Sequence, residues 1–412
     1  MSHVIAKPIK NVKFFTPATI VLTVIAVIGM FFLGVRFIYG IGYVSNLDDL
    51  FPWGIWNAIN KAGGVALAAG GFISAAIGHI MHREHYNIVV RPALLTAMLG
   101  YTFVGFAVFF DIGRWYYIWH PIIHWNPNSA LFEVGICVMI YLTVLYIEFI
   151  PIITEKFKNN VNMKGIFKPF NNITNRLLIS LDNGLEKTMF IFIIAGVVLS
   201  SLHQSSLGTL MIIAGDKMHP LWQTPVLPLL FLISAVVVGI PMIILVSILN
   251  SKSFKLKPKM PILSRMSSYV GPLLGVYLSF KIGDIVIREA FVYLGEFSLQ
   301  SVMFYVEVLI GIVVPLVMFL NKKVLSSVNL LLTACGFVIF GVVVNRINNF
   351  LVAYHPPYAD YLYFPTIQEI LVTLGCASVI ILLYRYVVMN FPVISHDQGT
   401  EDKIVVIGEE KK

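Results

Sequence analysis

Charge is scarce in this sequence. Only 12% of its 412 residues are Asp, Glu, Lys or Arg, while 58% are hydrophobic. Soluble globular chains carry about a quarter charged residues, so an ordinary water-soluble domain is excluded. Cysteine is scarcer still: Cys137, Cys335 and Cys376 lie in apolar runs, with no spacing that suits zinc or an iron–sulfur cluster. They read as small core residues, and no metal site is expected. No cleavable leader is expected either, because the first apolar run is too long and lacks a small-residue cleavage pattern.

Apolar length is what the chain has in abundance. Runs such as Thr19 to Leu33, Val226 to Leu249 and Ile370 to Leu383 approach the roughly 20 residues that cross a bilayer as a helix. A helix is required there because each segment must satisfy its own backbone groups. Ten spans are predicted, at 17–43, 54–80, 92–112, 129–153, 188–202, 225–250, 267–287, 300–320, 327–345 and 367–389. The fifth can extend toward Leu210, and the second is rich in Gly and Ala, a composition that lets helices approach closely. The fold class is all-α integral membrane protein, one polytopic domain over 1–412.

Lys and Arg concentrate in alternate loops, about 22 in one set and about 7 in the other. The rich set holds both termini, including the hydrophilic tail 395–412, so both ends are expected in the cytoplasm. The net charge of +8 is therefore a topology signal, and no nucleic-acid binding is expected from basic residues so dispersed. The other loops are aromatic and Pro-rich: Phe51-Pro52-Trp53-Gly54, Trp115 to Trp125, His219-Pro220-Leu221-Trp222 and Tyr354 to Pro365. They suit a membrane interface and a partner's docking surface.

Ionisable residues inside spans are functional candidates by default. Here they are Asp111, Arg114, Glu133, Glu148, Lys281, Asp284, Arg288, Glu307 and Arg346, with His79 and His203. By helical rise, Asp111, Arg114, Glu133 and His203 can share one layer near the outer face. A plain interfacial pair between Asp111 and Arg114 is the simpler alternative. Asp284 with Arg288, then Glu307, repeat the order of Asp111 with Arg114, then Glu133, at nearly equal offsets. That spacing suggests two related four-helix bundles, spans two to five (54–210) and six to nine (225–350), with spans one and ten flanking.

A carboxylate, a histidine and an arginine under an aromatic lid suit a quinone headgroup. Its two carbonyls need hydrogen-bond donors, and its reduction needs two protons. Haem b would need two axial histidines at one depth on facing helices. His79 sits near the inner end of its span and His203 near the outer end of its own, so no haem is expected. A secondary transporter of ions or small anions also uses buried charges and duplicated bundles, but charges crowded toward one face disfavour it. A passive anchor for an extrinsic enzyme is a third reading.

Several motifs together resemble the NrfD/PsrC membrane subunits of bacterial oxidoreductases, and within them the HybB type of periplasm-facing nickel–iron hydrogenases. The carriers are Phe51-Pro52-Trp53-Gly54, Val90-Arg91-Pro92-Ala93-Leu94-Leu95, Asp111-Ile112-Gly113-Arg114, Leu131-Phe132-Glu133, His203-Gln204-Ser205-Ser206-Leu207-Gly208, His219-Pro220-Leu221-Trp222-Gln223 and Tyr363-Phe364-Pro365-Thr366. The resemblance implies a haem-free subunit of the bacterial inner membrane that reacts with menaquinone or another quinone. Its implied partners are a periplasmic iron–sulfur electron-transfer subunit and a catalytic subunit, a nickel–iron hydrogenase. Carried over, Asp111, Glu133 and His203 would bind quinone or transfer protons, with Trp53, Arg114 and Gln204 completing the pocket. His79, Glu148, Lys281, Asp284 and Glu307 would form a proton path. Lys281 and Asp284 depart from the Arg and Glu expected in such relatives, which removes the bidentate geometry of arginine.

Overall fold

The computed structural model describes residues 6–9, 12–77, 87–158, 161–162 and 164–394. His79 and the tail 395–412 lie outside them. Among the described residues, nine helices are long and apolar enough to cross a membrane. In chain order they are α1 (Pro17–Tyr39), α3 (Asn87–Asp111), α4 (Ala130–Phe157), α5 (Asn171–Ile213), α6 (Leu227–Ser253), α7 (Met260–Ile287), α8 (Leu299–Leu320), α9 (Val328–Val352) and α10 (Ile367–Asn390). The chain is a multi-pass, all-helical membrane protein. The expected second span is present in broken form and is called α2: a π-helical stretch Trp56–Gly63, then the short helices Gly64–Leu67 and Gly70–Ala75. Its glycines explain both the break and the packing. Glycine weakens a helix, and a Cβ at Gly71 would stand 2.3 Å from the Ala97 Cβ of α3.

One boundary differs greatly from expectation. The fifth span, read as 188–202, belongs to a helix of 43 residues, roughly 65 Å long. Its first four turns are polar enough to resemble a loop, yet Lys158 and Thr154 of the preceding helix bind Asp182 within them, at 2.7 and 3.1 Å.

Helices α2 to α5 pack on one another, and α6 to α9 do likewise; α6 and α9 meet α2 between the two groups, and α1 pairs with α10 alongside α3. Small residues set the closest approaches. A Cβ at Gly29 would stand 2.6 Å from Gly375 Cα, joining α1 to α10, and one at Gly341 would stand 2.4 Å from Gly311 Cα, joining α9 to α8. Gly341→Leu is therefore expected to lower stability by about 1–3 kcal/mol through overpacking. Gly275, with nothing within 4 Å of a built Cβ, should accept alanine. Thermal unfolding of the detergent-purified protein checks both, and an unshifted transition for Gly341→Leu would refute the α8–α9 contact.

The two faces of the bundle are closed differently. On the basic face Arg91 pairs with Glu155 at 2.7 Å and donates to the Pro392 carbonyl, and Arg385 donates to the Lys13 carbonyl and Ser253. These contacts gather the ends of α3, α4, α6 and α10. On the aromatic face, Thr366 caps α10 and donates to the Val44 carbonyl at 2.7 Å. A Cβ at Gly54 would strike the Tyr363 hydroxyl, so the segments 51–54 and 363–366 are fitted to each other.

Candidate functional site

The aromatic-face half of the first bundle collects polar groups from four helices. The π-helical opening of α2 places Asn57 and Lys61 on a common face. Such wide turns cost hydrogen-bond geometry and recur at functional sites. Both side chains reach Asp111, the last residue of α3: Asn57 Nδ2 donates to Oδ2 at 2.8 Å, and Lys61 forms an ion pair with the same oxygen. The other oxygen, Oδ1, is buried and has no partner among the described residues. Buried Arg36 of α1 fastens this helix end, donating from Nε and Nη2 to the carbonyls of Phe110 and Ile112, each at 2.5 Å. It satisfies two carbonyls that a helix terminus leaves free and sets positive charge against the negative dipole end.

Deeper in the bundle lie His203 and Gln204 of α5, 1% and 0% exposed. Gln204 Nε2 donates to the Val65 carbonyl at 2.9 Å, about one turn along α2 from Lys61. The Tyr101 ring of α3 lies 5.9 Å from the imidazole and meets Tyr141 of α4 edge-on at 4.4 Å, and its hydroxyl is 3.3 Å from Ser200 Oγ. The backbone of Val134 lies against His203. Neither ring nitrogen has a partner in hydrogen-bonding geometry among the described residues. Just above, Ser206 Oγ donates to Glu133 Oε1 at 2.6 Å.

The single layer expected for Asp111, Arg114, Glu133 and His203 is in fact a column. Because α5 runs on to Ile213, His203 lies roughly 15 Å inside its end, whereas Asp111 terminates α3. Lys61 with Asp111 is uppermost, Glu133 with Ser206 follows, and His203 with Gln204 lies lowest. The simpler alternative, an interfacial pair between Asp111 and Arg114, does not form among the described residues. The helix stops at Asp111, and Arg114 is exposed with no ion pair among the described residues. Trp53 also stands elsewhere, packed on Tyr354 at 5.2 Å and Phe350 at 6.3 Å, over the end of α9. Glu148 sits half-buried on α4 against Gly196 of α5.

Residues 43–354 match the family described as polysulphide reductase, NrfD. The chain belongs to the NrfD family. A protein of Nitratidesulfovibrio vulgaris is 34% identical over 401 residues, covering 95% of this chain and 98% of its own length. A protein of Escherichia coli named as a probable Ni/Fe-hydrogenase 2 b-type cytochrome subunit is 31% identical over 376 residues, 89% of this chain and 90% of its own. A menaquinone reductase integral membrane subunit, also of Nitratidesulfovibrio vulgaris, is 29% identical over 256 residues, 60% of this chain and 56% of its own.

The NrfD chain carries a second, denser polar centre in α6 to α9. Glu307, on a π-helical stretch of α8, is fully buried and paired with Lys281 of α7. Asn345 donates to its Oε1 at 2.8 Å, Asn348 to Oε2 at 2.7 Å, and Trp222 Nε1 to Oε2 at 3.0 Å. The motif around His219 presents that tryptophan. Burial holds the His219 pKa below its ordinary value, so the ring is neutral at pH 7 and Nδ1 accepts from the Leu221 N–H at 3.3 Å. Arg346 donates to Asn345 at 2.6 Å and Ser234 at 2.9 Å, and covers the Phe231 ring at 3.6 Å. Asp284 pairs with Arg288, one helical turn on, at 2.6 Å and accepts from Thr224. Lys61, Asn57, Ser206, Asn345 and Asn348 went unassigned in the sequence. Polar residues within an apolar stretch, such as Asn57 and Lys61, were the available signal.

Proposed function

We propose that this NrfD protein is the quinone-reactive membrane subunit of a respiratory oxidoreductase. It passes electrons from an iron–sulfur partner to menaquinone, or another quinone, with proton uptake. The observation that carries the reading is His203: a fully buried imidazole whose two nitrogens are unmatched within the described residues. An unsatisfied buried polar group costs about 1–3 kcal/mol, and a quinone carbonyl would satisfy it. The Tyr101 and Tyr141 rings supply flat apolar walls, and Glu133 through Ser206 lies within a turn as a source of protons. The relatives named as hydrogenase and menaquinone reductase subunits support the same chemistry and the same kind of assembly.

In this reading the basic face is cytoplasmic, both termini with it, and the protein lies in the bacterial inner membrane. The aromatic face, with Trp119, Trp125 and Phe364 exposed, receives the periplasmic iron–sulfur subunit and beyond it a catalytic subunit, a nickel–iron hydrogenase. In this reading the site is haem-free: the sequence sets His79 and His203 near opposite ends of their spans, and His120, His124, His219 and His355 lie in the aromatic-face loops. Protons enter past Glu148 from the basic face. Ser206 and Asn345 stand equally far from the ends of α5 and α9, each donating to a carboxylate on the preceding helix, which supports descent of the two bundles from one duplicated unit.

A photoreactive menaquinone analogue applied to the intact complex tests the site. Labelled peptides are expected from α2 to α5 and to be suppressed by excess unlabelled quinone. Competable labelling confined to α6 to α9 would move the site to the second bundle.

A further inference from the structure

Lys61 is more than a counter-ion in this arrangement. An ammonium has three N–H donors, and among the described residues only Asp111 takes one. Asp111 is the more deeply enclosed partner, with 7% of its side chain exposed against 16% for Lys61. It is held in turn by Asn57, and its helix end is fastened by Arg36. The ammonium is thus fixed in place from one side with donors left over, in a bundle where little water competes for them. A second observation points to a ligand at the same level. Asn60 Nδ2, on the same π-helical turn, and Asp111 Oδ1 are both buried and unmatched among the described residues.

Depth supplies the rest. Gln204, next to His203, bonds to the Val65 carbonyl, which sets this turn of α5 beside Val65. Lys61 lies four residues nearer the aromatic face on α2, within its wide π-helical stretch. Two donors on facing helices at different depths can serve the two carbonyl oxygens set across one ring of a quinone. We infer that Lys61 is a substrate-binding residue that donates a hydrogen bond to the quinone carbonyl farther from His203, with Asp111 and Arg36 as its positioning residues. This assignment rests on the quinone reading above.

Substitution in the intact complex, assayed with a water-soluble menaquinone analogue, separates contact from counter-ion. The charge-neutral double variant Lys61→Gln/Asp111→Asn leaves no uncompensated buried charge and is compared with the parent protein. If Lys61 touches the quinone, the double variant has a KM at least tenfold above the parent's, with kcat changed less. Lys61→Arg, which keeps a cationic donor beside Asp111, should lose much less. A double variant with the parent's KM would overturn the assignment, because Lys61 would then act only as the counter-ion of Asp111. The parallel His203→Ala variant separates the two failures. If it abolishes turnover while the double variant keeps the parent's KM, only the Lys61 contact falls. If it turns over normally, the quinone site itself is wrong and the Lys61 assignment falls with it.

Discussion

Replacing His203 with alanine is expected to lower turnover of a water-soluble menaquinone analogue at least ~100-fold, the usual scale for a positioned acid–base group. The protein should nonetheless assemble. Its ring nitrogens have no partner in good hydrogen-bonding geometry among the described residues, only the Val134 backbone nearby, so the substitution breaks at most one weak internal contact. It removes ring contacts with Tyr101 and leaves a cavity whose cost is partly offset by the loss of an unsatisfied buried imidazole. A large loss of activity with little loss of stability is what a ligand-facing residue shows, whereas a structural histidine loses both. His203→Gln keeps an N–H donor without the acid–base range of imidazole, so it should bind the analogue better than alanine while turning it over slowly. The measurement is steady-state turnover of the purified complex beside its thermal unfolding curve. Turnover of His203→Ala within twofold of the parent protein would sink the site.

The Lys281–Glu307 centre is expected to behave in the opposite way. Lys281→Met should destabilise the protein by about 3–5 kcal/mol, because it leaves the Glu307 carboxylate buried and uncompensated. The double variant Lys281→Met/Glu307→Leu should recover much of that loss, since a matched apolar pair has no charge to bury. Glu307 accepts from Lys281, Asn345, Asn348 and Trp222. A carboxylate held by four donors on two helices and a loop is arranged to keep its charge, and we propose a structural role for the centre in place of the proton path that the resemblance implies. Thermal unfolding in detergent reads the stability. If Lys281→Met melts with the parent protein but halts quinone turnover, the centre is part of the proton path after all.

The asymmetry between the bundles was not legible in the sequence. Asp111 with Glu133 and Asp284 with Glu307 look alike as a pattern of charges in apolar runs, and the cost of placing charge in a bilayer marks all four as special. Their difference lies in their partners. Glu307 is saturated, while Asp111 Oδ1 and both nitrogens of His203 are unmatched among the described residues. Partners come from helices distant in sequence, so no local spacing reveals them. Arg114, three residues from Asp111, looked like its counter-ion; the ion is Lys61, 50 residues away.

The sequence by itself determined that the chain crosses a membrane many times, which face carries the positive charge and which family the motifs belong to. Those follow from run length, from loop composition and from short local motifs, all of which are properties of contiguous residues. Only the tertiary structure decided where α2 breaks, how far α5 extends and which buried groups are left unmatched. A π-helical turn forms where packing against α3 and α9 outweighs regular hydrogen bonding, and the polar first turns of α5 are held as helix by contact with α4. The depth of His203, and with it the shape of the site, followed from that unseen length.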